Sequence, residues 1–231
     1  MKRVLITGGS GSIGVHVIFH ILTNTDWEVV SLDSFRHKGF RDRTSRIIKE
    51  HPEWKTRFKE IETDLVCPIS PEMIKEIGKI DYVLHLAALS DVFFSVENPT
   101  YVIQNNVNST LTMLEYARAI KSEQFIYFST DEVYGMVKKG TAHKEWETHR
   151  PSNAYSASKA ACEDICYAYW RSYGVPVIIT NTMNNFAAMQ SSSKFPVIIQ
   201  KKVEAGETVQ IHGNKLEIGT RYYFCSRQWL S

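Results

Sequence analysis

The sequence predicts an α/β fold built on a doubly wound parallel sheet, and three observations carry that expectation. Short, continuously apolar runs alternate with longer stretches of helical periodicity, as strands covered on both faces require. A glycine cluster, Gly8-Gly9-Ser10-Gly11-Ser12-Ile13-Gly14, separates the first run from the first helical stretch. The 231 residues are 43% hydrophobic and 23% charged, which is a folded domain's balance and excludes a disordered chain.

In order, Val4–Ile6 reads as a short buried strand and Ile13–Leu22 as a helix, with Ile13, Val17, Ile18, Ile21 and Leu22 on one face. Glu28–Leu32 is a second strand ending at Asp33, and Phe58–Asp64 a third. Pro71–Gly78 is a short helix opened by proline and closed by glycine. Tyr82–Leu86 is a fourth strand, apolar except for His85, which reads as a structural histidine near the cleft. The helices Pro99–Lys121 and Pro151–Tyr173 flank a fifth strand, Phe125–Phe128, and a sixth strand spans Val175–Ile179. Beyond Thr182 the pattern weakens to a helix over Phe195–Gly206 and short strands at Thr208–His212 and Tyr222–Cys225. Two units are therefore expected: residues 1–182, and a small substrate-side region over 183–231.

A net charge of +2 offers no basic surface, so neither nucleic acid nor membrane is expected as a partner. Met1-Lys2-Arg3 is followed by too few apolar residues for a secretory signal, and no apolar run reaches membrane-span length. A soluble cytoplasmic protein is the expectation. Cys67, Cys162, Cys166 and Cys225 make no CxxC pair and no zinc-type spacing, so buried reduced thiols are expected and no metal site.

The glycines carry the first functional reading. Gly8, Gly11 and Gly14 follow a strand and open a helix, where glycine permits both a tight turn and close approach of backbone to phosphate. The helix N-terminus behind them, starting at Ser12 and Ile13, offers free N–H groups to an anion. Asp33 ends the next strand nineteen residues beyond Gly14, where an acid accepts from ribose hydroxyls and repels a 2′-phosphate. The expectation is a Rossmann-type sheet binding NAD rather than NADP. Ser34 adjoins that acid, and Arg36 and Lys38 just beyond are expected as solvated loop charges.

The Gly8/Gly11/Gly14 spacing resembles the extended short-chain dehydrogenase/reductase family. So do Asp64-Leu65, His85-Leu86-Ala87-Ala88, Asn106-Val107 and Tyr155-Ser156-Ala157-Ser158-Lys159. Ser129-Thr130-Asp131-Glu132-Val133-Tyr134-Gly135 resembles the nucleotide-sugar 4,6-dehydratases of that family, as does Thr180-Asn181-Thr182-Met183-Asn184-Asn185-Phe186. The resemblance runs from Val4 to about Arg221. It implies cofactor contacts at Asp64, Leu65, Leu86, Ala87, Ala88 and Asn106, and a substrate site including Ser90 and Asn184. It further implies a diphosphate contact at Arg221, for which an ordinary surface arginine is the alternative. A dTDP- or UDP-hexose substrate and a homodimer through the two long helices follow from the same resemblance.

Tyr155 and Lys159 lie four apart and share a helix face. A neighbouring ammonium favours phenolate, which suits removal of a hydroxyl proton while the carbon is oxidised. Thr130 is expected to hold the sugar oxygen and the Tyr155 oxygen. Oxidation at C4 acidifies C5, so Glu132 is placed to take the C5 proton and a protonated Asp131 to donate to departing water, provided their environments set different pKa values. A 4-epimerase or decarboxylase of the same family needs only Tyr155 and Lys159, and a non-catalytic NAD-binding protein needs neither acid. Leu89, Phe93 and Phe94 stand where the dehydratases carry polar residues, and Ala187-Ala188 replaces their Gly-Pro. Both departures face the substrate side. Family members are also longer, and a substrate region cut short at Ser231 is expected to turn over poorly.

Overall fold

The computed structural model describes residues 1–36, 40–137, 140–190, 192 and 194–209. Its strands are β1 (Arg3–Thr7), β2 (Glu28–Asp33), β3 (Phe58–Glu62), β4 (Tyr82–His85), β5 (Gln124–Thr130) and β6 (Val177–Thr182). The helices are α1 (Gly14–Asn24), α2 (Phe40–Glu50), α3 (Pro71–Ile77), α4 (Val92–Glu97), α5 (Pro99–Ile120), α6 (Ala154–Tyr173) and α7 (Phe195–Glu204). The six strands form one sheet in the order β3-β2-β1-β4-β5-β6, every neighbouring pair parallel. The doubly wound Rossmann-type α/β fold read from the sequence is therefore the fold observed.

β1 sits at the centre because each of its residues has a wall to meet. Val4 and Ile6 pack with Val15, Ile18 and Leu22 of α1 and with Trp54, while Leu5 turns to Val83, Met113, Leu114 and Phe125. All three strand residues are fully buried, each stabilising the fold by roughly 1.5–3 kcal/mol. α5 and α6 cover the face that carries Leu5 and pack closely on one another. After β3 the chain crosses the sheet to add β4 on the far side of β1. The carboxyl ends of β1 and β4 thus diverge, and the crevice between them is where such sheets take ligands.

Several boundaries differ from expectation for identifiable reasons. α6 starts at Ala154 rather than Pro151, because the Asn153 side chain accepts from Ser156 N–H at 2.8 Å and the Ser156 hydroxyl accepts from Asn153 N–H at 3.2 Å. β5 runs on to Thr130, and β6 spans Val177–Thr182 because Ser129 and Thr130 pair with Asn181 and Thr182. α7 ends at Glu204 with Ala205 as its cap, and Gly206 adopts the left-handed backbone just beyond. α2 and α4 were not expected. α2 is highly charged with Ile47 buried, and α4 is a single short helix capped by Asp91, whose carboxylate accepts from Phe94 N–H at 3.0 Å. Thr208 and Glu207 lie in no strand; residues 210–212 and the strand expected at Tyr222–Cys225 lie outside the described residues.

Cys162 and Cys166 are buried free thiols as expected, whereas Cys67 is exposed in the turn after β3; Cys225 lies outside the described residues. Among the described residues no helix is long and apolar enough to cross a membrane.

Candidate active site

A cleft of about 680 Å³ runs along the carboxyl ends of the strands. Gly8, Gly11, Ser12, Ile13 and Gly14 form one wall; Asp33, Ser34, Asp64 and Leu65 close one end; Leu86, Ala87 and Ala88 lie between β1 and β4. Thr130, Glu132, Tyr155 and Lys159 line the other side with Ser90 and Asn184. The sequence-predicted residues are thus brought largely to one place. Three are not. Asp131 follows Thr130 but does not line the cleft, Asn106 is buried behind its wall, and Arg221 lies outside the described residues.

The glycine loop fits a pyrophosphate because its backbone leaves no room for side chains. Gly8 has φ +69°, and a Cβ there would stand 2.9 Å from Ala87 Cα. A Cβ on Gly14 would stand 2.2 Å from Gly8 O and 2.7 Å from Gly9 Cα, so helix α1 begins flush against the turn. No side chain caps the α1 N-terminus; Val15 and His16 N–H donate to Gly11 O and Ile13 O, which leaves the N–H groups of Ile13 and Gly14 for an anion in the cleft. Asp33 is buried at the end of β2. Its carboxylate accepts from Ser10 N–H at 3.1 Å and Phe35 N–H at 2.9 Å, which fixes it relative to the loop.

His85 is the structural histidine the sequence suggested. It is fully enclosed, with Nδ1 2.7 Å from Thr7 Oγ1 and Nε2 3.1 Å from Thr110 Oγ1. Thr7 Oγ1 already accepts from Leu86 and Ala87 N–H, so its proton goes to Nδ1 and the ring is assigned as the neutral Nε2–H tautomer. Burial, with the Lys159 charge adding, pushes its pKa down to about 3. Its work is to hold β1, β4 and α5 together beneath the cleft.

Asn106 acts on the wall rather than in the cleft. Its side chain accepts from Leu89 N–H at 2.8 Å and donates to Leu89 O at 3.1 Å and Ser158 Oγ at 2.9 Å. Its neighbour Asn105 lines the cleft instead. Arg36 departs from expectation in part. Exposed as expected, its guanidinium nevertheless pairs with Asp64 and donates to Asn105 Oδ1 at 2.6 Å and Tyr101 OH at 3.2 Å, bracing the Asp33 end of the cleft. Lys38 lies outside the described residues.

The acid–base groups converge at the end of β5. The Thr130 hydroxyl accepts from Glu132 N–H at 3.3 Å and donates to Asp131 Oδ1 at 3.3 Å, and Thr130 lines the cleft with Tyr155. Burial raises the carboxyl pKa of both Asp131 and Glu132. Their partners differ: Asp131 faces His143, whereas Glu132 accepts from Asn153 Nδ2 at 3.3 Å and feels the Lys194 ammonium. The expected split in pKa is therefore present in surroundings and absent in direction.

The expectation for Tyr155 is corrected. Burial, then the Glu132 charge, raises its pKa. Lys159 does not offset this, because its Nζ lies over the Tyr127 ring at 4.1 Å and donates to Phe128 O at 2.6 Å beneath the cleft. Burial lowers the Lys159 pKa to about 8.

Sequence reading missed Lys194, at the start of α7. It lines the cleft, is mostly enclosed and donates to Ser90 O at 3.1 Å beside Asp91 and Glu132. Its only sequence signal is a lysine preceding Phe195-Pro196 at a helix start. Asn153, which both caps α6 and holds Glu132, was missed as well.

An all-parallel sheet with a glycine loop at its switch point and a Tyr155/Lys159 pair across the crevice defines a dinucleotide-binding α/β protein. The family described as GDP-mannose 4,6 dehydratase matches residues 5–224. The chain belongs to the extended short-chain dehydrogenase/reductase family, of NAD-dependent epimerase/dehydratase type, and is close to the dTDP- and UDP-glucose 4,6-dehydratases. It is 33% identical to the dTDP-glucose 4,6-dehydratase of Haemophilus influenzae over 241 residues, covering 100% of this chain and 67% of that protein. The crystal structure of a Streptomyces venezuelae dTDP-glucose 4,6-dehydratase with NAD bound superposes with a TM-score of 0.83 at 29% identity, covering 92% of this chain and 65% of that one. A Bacillus cereus UDP-glucuronic acid 4-epimerase with NAD gives 0.81 at 27% identity, covering 92% and 66%. The chain spans about two thirds of the length of these relatives.

Proposed function

We propose that the protein is an NAD-dependent nucleotide-sugar 4,6-dehydratase that converts a dTDP- or UDP-hexose to its 4-keto-6-deoxy form. The observation that carries the reading is the grouping of Thr130, Asp131, Glu132 and Tyr155 at the end of β5, with both carboxyls raised by burial. A 4-epimerase has no use for two such acids. The cradle fits the cofactor: Gly8, Gly11, Ser12, Ile13 and Gly14 would take its pyrophosphate, Asp33 and Ser34 its ribose, and Asp64 and Leu65 its adenine. NAD, when bound, supplies the hydride acceptor and donor of the internal redox cycle.

The side chains supply the proton chemistry. Tyr155 takes the C4 hydroxyl proton with Thr130 orienting that oxygen, a role in which the positive charge of a bound nicotinamide would offset the burial that raises its pKa, and Lys159 holds the strand end beside them. The C4 ketone so formed acidifies C5, and Glu132 takes the C5 proton. Asp131, held just off the cleft at Thr130 Oγ1, turns toward the substrate in its acid form and donates a proton to the C6 hydroxyl, which departs as water. Lys194, Ser90 and Asn184 line the cleft together, and an ammonium there suits the substrate's diphosphate. Homodimerisation belongs to the same reading; Tyr167, Trp170 and Tyr173 leave an aromatic surface on α6 for it.

The test is incubation with dTDP-glucose and UDP-glucose in the presence of NAD, with products separated by mass. A product lighter by one water supports the dehydratase, whereas a C4 epimer of unchanged mass shows the epimerase. Binding of NAD with neither product leaves the non-catalytic reading standing.

A further inference from the structure

Glu163 is buried one helical turn beyond Lys159 on α6, and the acid–base scheme above does not use it. We propose that Glu163 is the buried counter-ion of Lys159 and the positioning residue that fixes the Ser129–Thr130 strand end against α6. The inference rests on the proposed reading in which Lys159 holds the strand end that carries Thr130 beside Tyr155.

The geometry ties three elements to one carboxylate. Glu163 Oε1 accepts from the Ser129 hydroxyl of β5 and from Asn181 Nδ2 of β6 at 2.7 Å, and Ser129 and Asn181 are register partners. Oε2 lies 3.4 Å from His149 Nε2, in the segment that leads into α6. The other nitrogen of that ring is 3.9 Å from the exposed Asp164, and its face meets the Tyr134 ring. Burial raises the Glu163 pKa, and these donors together with the Lys159 charge oppose the rise.

Lys159 needs such a partner. Its Nζ bonds the backbone at Phe128, lies over the Tyr127 ring, and is flanked by the Cys162 and Cys166 thiols, with His85 neutral on the β4 side. Burial alone drives the ammonium toward losing its proton; Glu163, buried one turn along the same helix without a direct ion pair to it, is among the groups that oppose this. Lys159 at Phe128 O and Glu163 at Ser129 Oγ also grip successive strand residues, which places the next one, Thr130, at Tyr155.

The direct test is an NMR titration of selectively ¹³C-labelled lysine side chains, Lys159 being assigned by its loss in Lys159→Arg. Glu163→Gln keeps the side-chain shape and removes the charge. The titration midpoint of Lys159 is expected to fall by about one pH unit, a tenfold loss of proton affinity. An unchanged midpoint overturns the proposal. In wild-type protein with sequentially assigned ¹³C-labelled carboxyls, Glu163 must be ionised at pH 7; a protonated Glu163 there overturns the proposal whether or not the variant folds. If wild type converts dTDP-glucose, the alkaline limb of kcat moves to lower pH in Glu163→Gln, and a uniform loss at every pH counts against the link to Lys159. Absence of turnover in wild type counts against the dehydratase reading, while the titration still decides the fate of Glu163.

Discussion

Gly14→Ala is a sharp perturbation of the cofactor cradle, because the structure says where the added methyl must go. Its Cβ lands 2.2 Å from Gly8 O and 2.7 Å from Gly9 Cα. Both contacts are backbone, so no flexible side chain can yield, and either α1 or the Gly8–Gly11 turn has to move. Overpacking of this kind costs about 1–3 kcal/mol. For a chain of this size that lowers Tm by roughly 2–12 °C. The displaced turn also carries the N–H groups that would face the pyrophosphate, and losing about 2 kcal/mol of that interaction is expected to weaken NAD about 30-fold. Gly174→Ala is the control. Gly174 caps α6 at φ +68° with no atom within 4 Å of its Cβ, so alanine there costs about 1–2 kcal/mol of stability and leaves NAD binding unchanged. The assay is calorimetric titration with NAD alongside thermal unfolding. NAD affinity in Gly14→Ala within threefold of wild type refutes the assignment of the loop.

Three other predictions follow from the same contacts. His85 has a folded pKa depressed far below its usual value, so the unfolded chain binds the proton first; stability is full above about pH 6.5 and falls toward pH 3, by up to about 1.4 kcal/mol per pH unit. Urea unfolding at pH 7, 6 and 5 will show that slope in wild type and a shallower one in His85→Gln. Arg36→Ala removes the brace between Asp64, Asn105 and Tyr101 and is expected to weaken NAD about fivefold; because the ion pair is largely exposed, Tm should barely change. Glu132→Gln is expected to lower kcat for dehydration by about 10²–10⁴ while NAD affinity, measured by the same titration, stays at the wild-type value.

The features legible in the sequence were those set by local chemistry. The glycine turn, the acid ending β2 and the apolar runs of β1, β4 and β5 each follow from what a few consecutive residues can do. The Tyr155/Lys159 spacing belongs with them, since it needs only the period of a helix. What was not legible depends on residues far apart in the chain. Asn106 belongs to the wall because Leu89 and Ser158 meet it there. Arg36 is a brace only because Asp64 and Asn105 come within reach of its guanidinium. Lys159 was expected to ease ionisation of Tyr155, and tertiary packing instead aims its ammonium at Phe128 O. α2 escaped notice because burial falls on so little of a charged helix, and α4 because six residues are too few for periodicity to speak.

The central claim is that Glu132, in the cleft, and Asp131, at its edge behind Thr130, run a C5 deprotonation and a C6 dehydration. Turnover of dTDP-glucose or UDP-glucose in D₂O, followed by mass spectrometry of the isolated sugar nucleotide, tests it most directly. The account predicts loss of water with one solvent deuterium bound to carbon at C5, and loss of both signals in Glu132→Gln. An epimer formed without deuterium at C5 and without loss of water would contradict it.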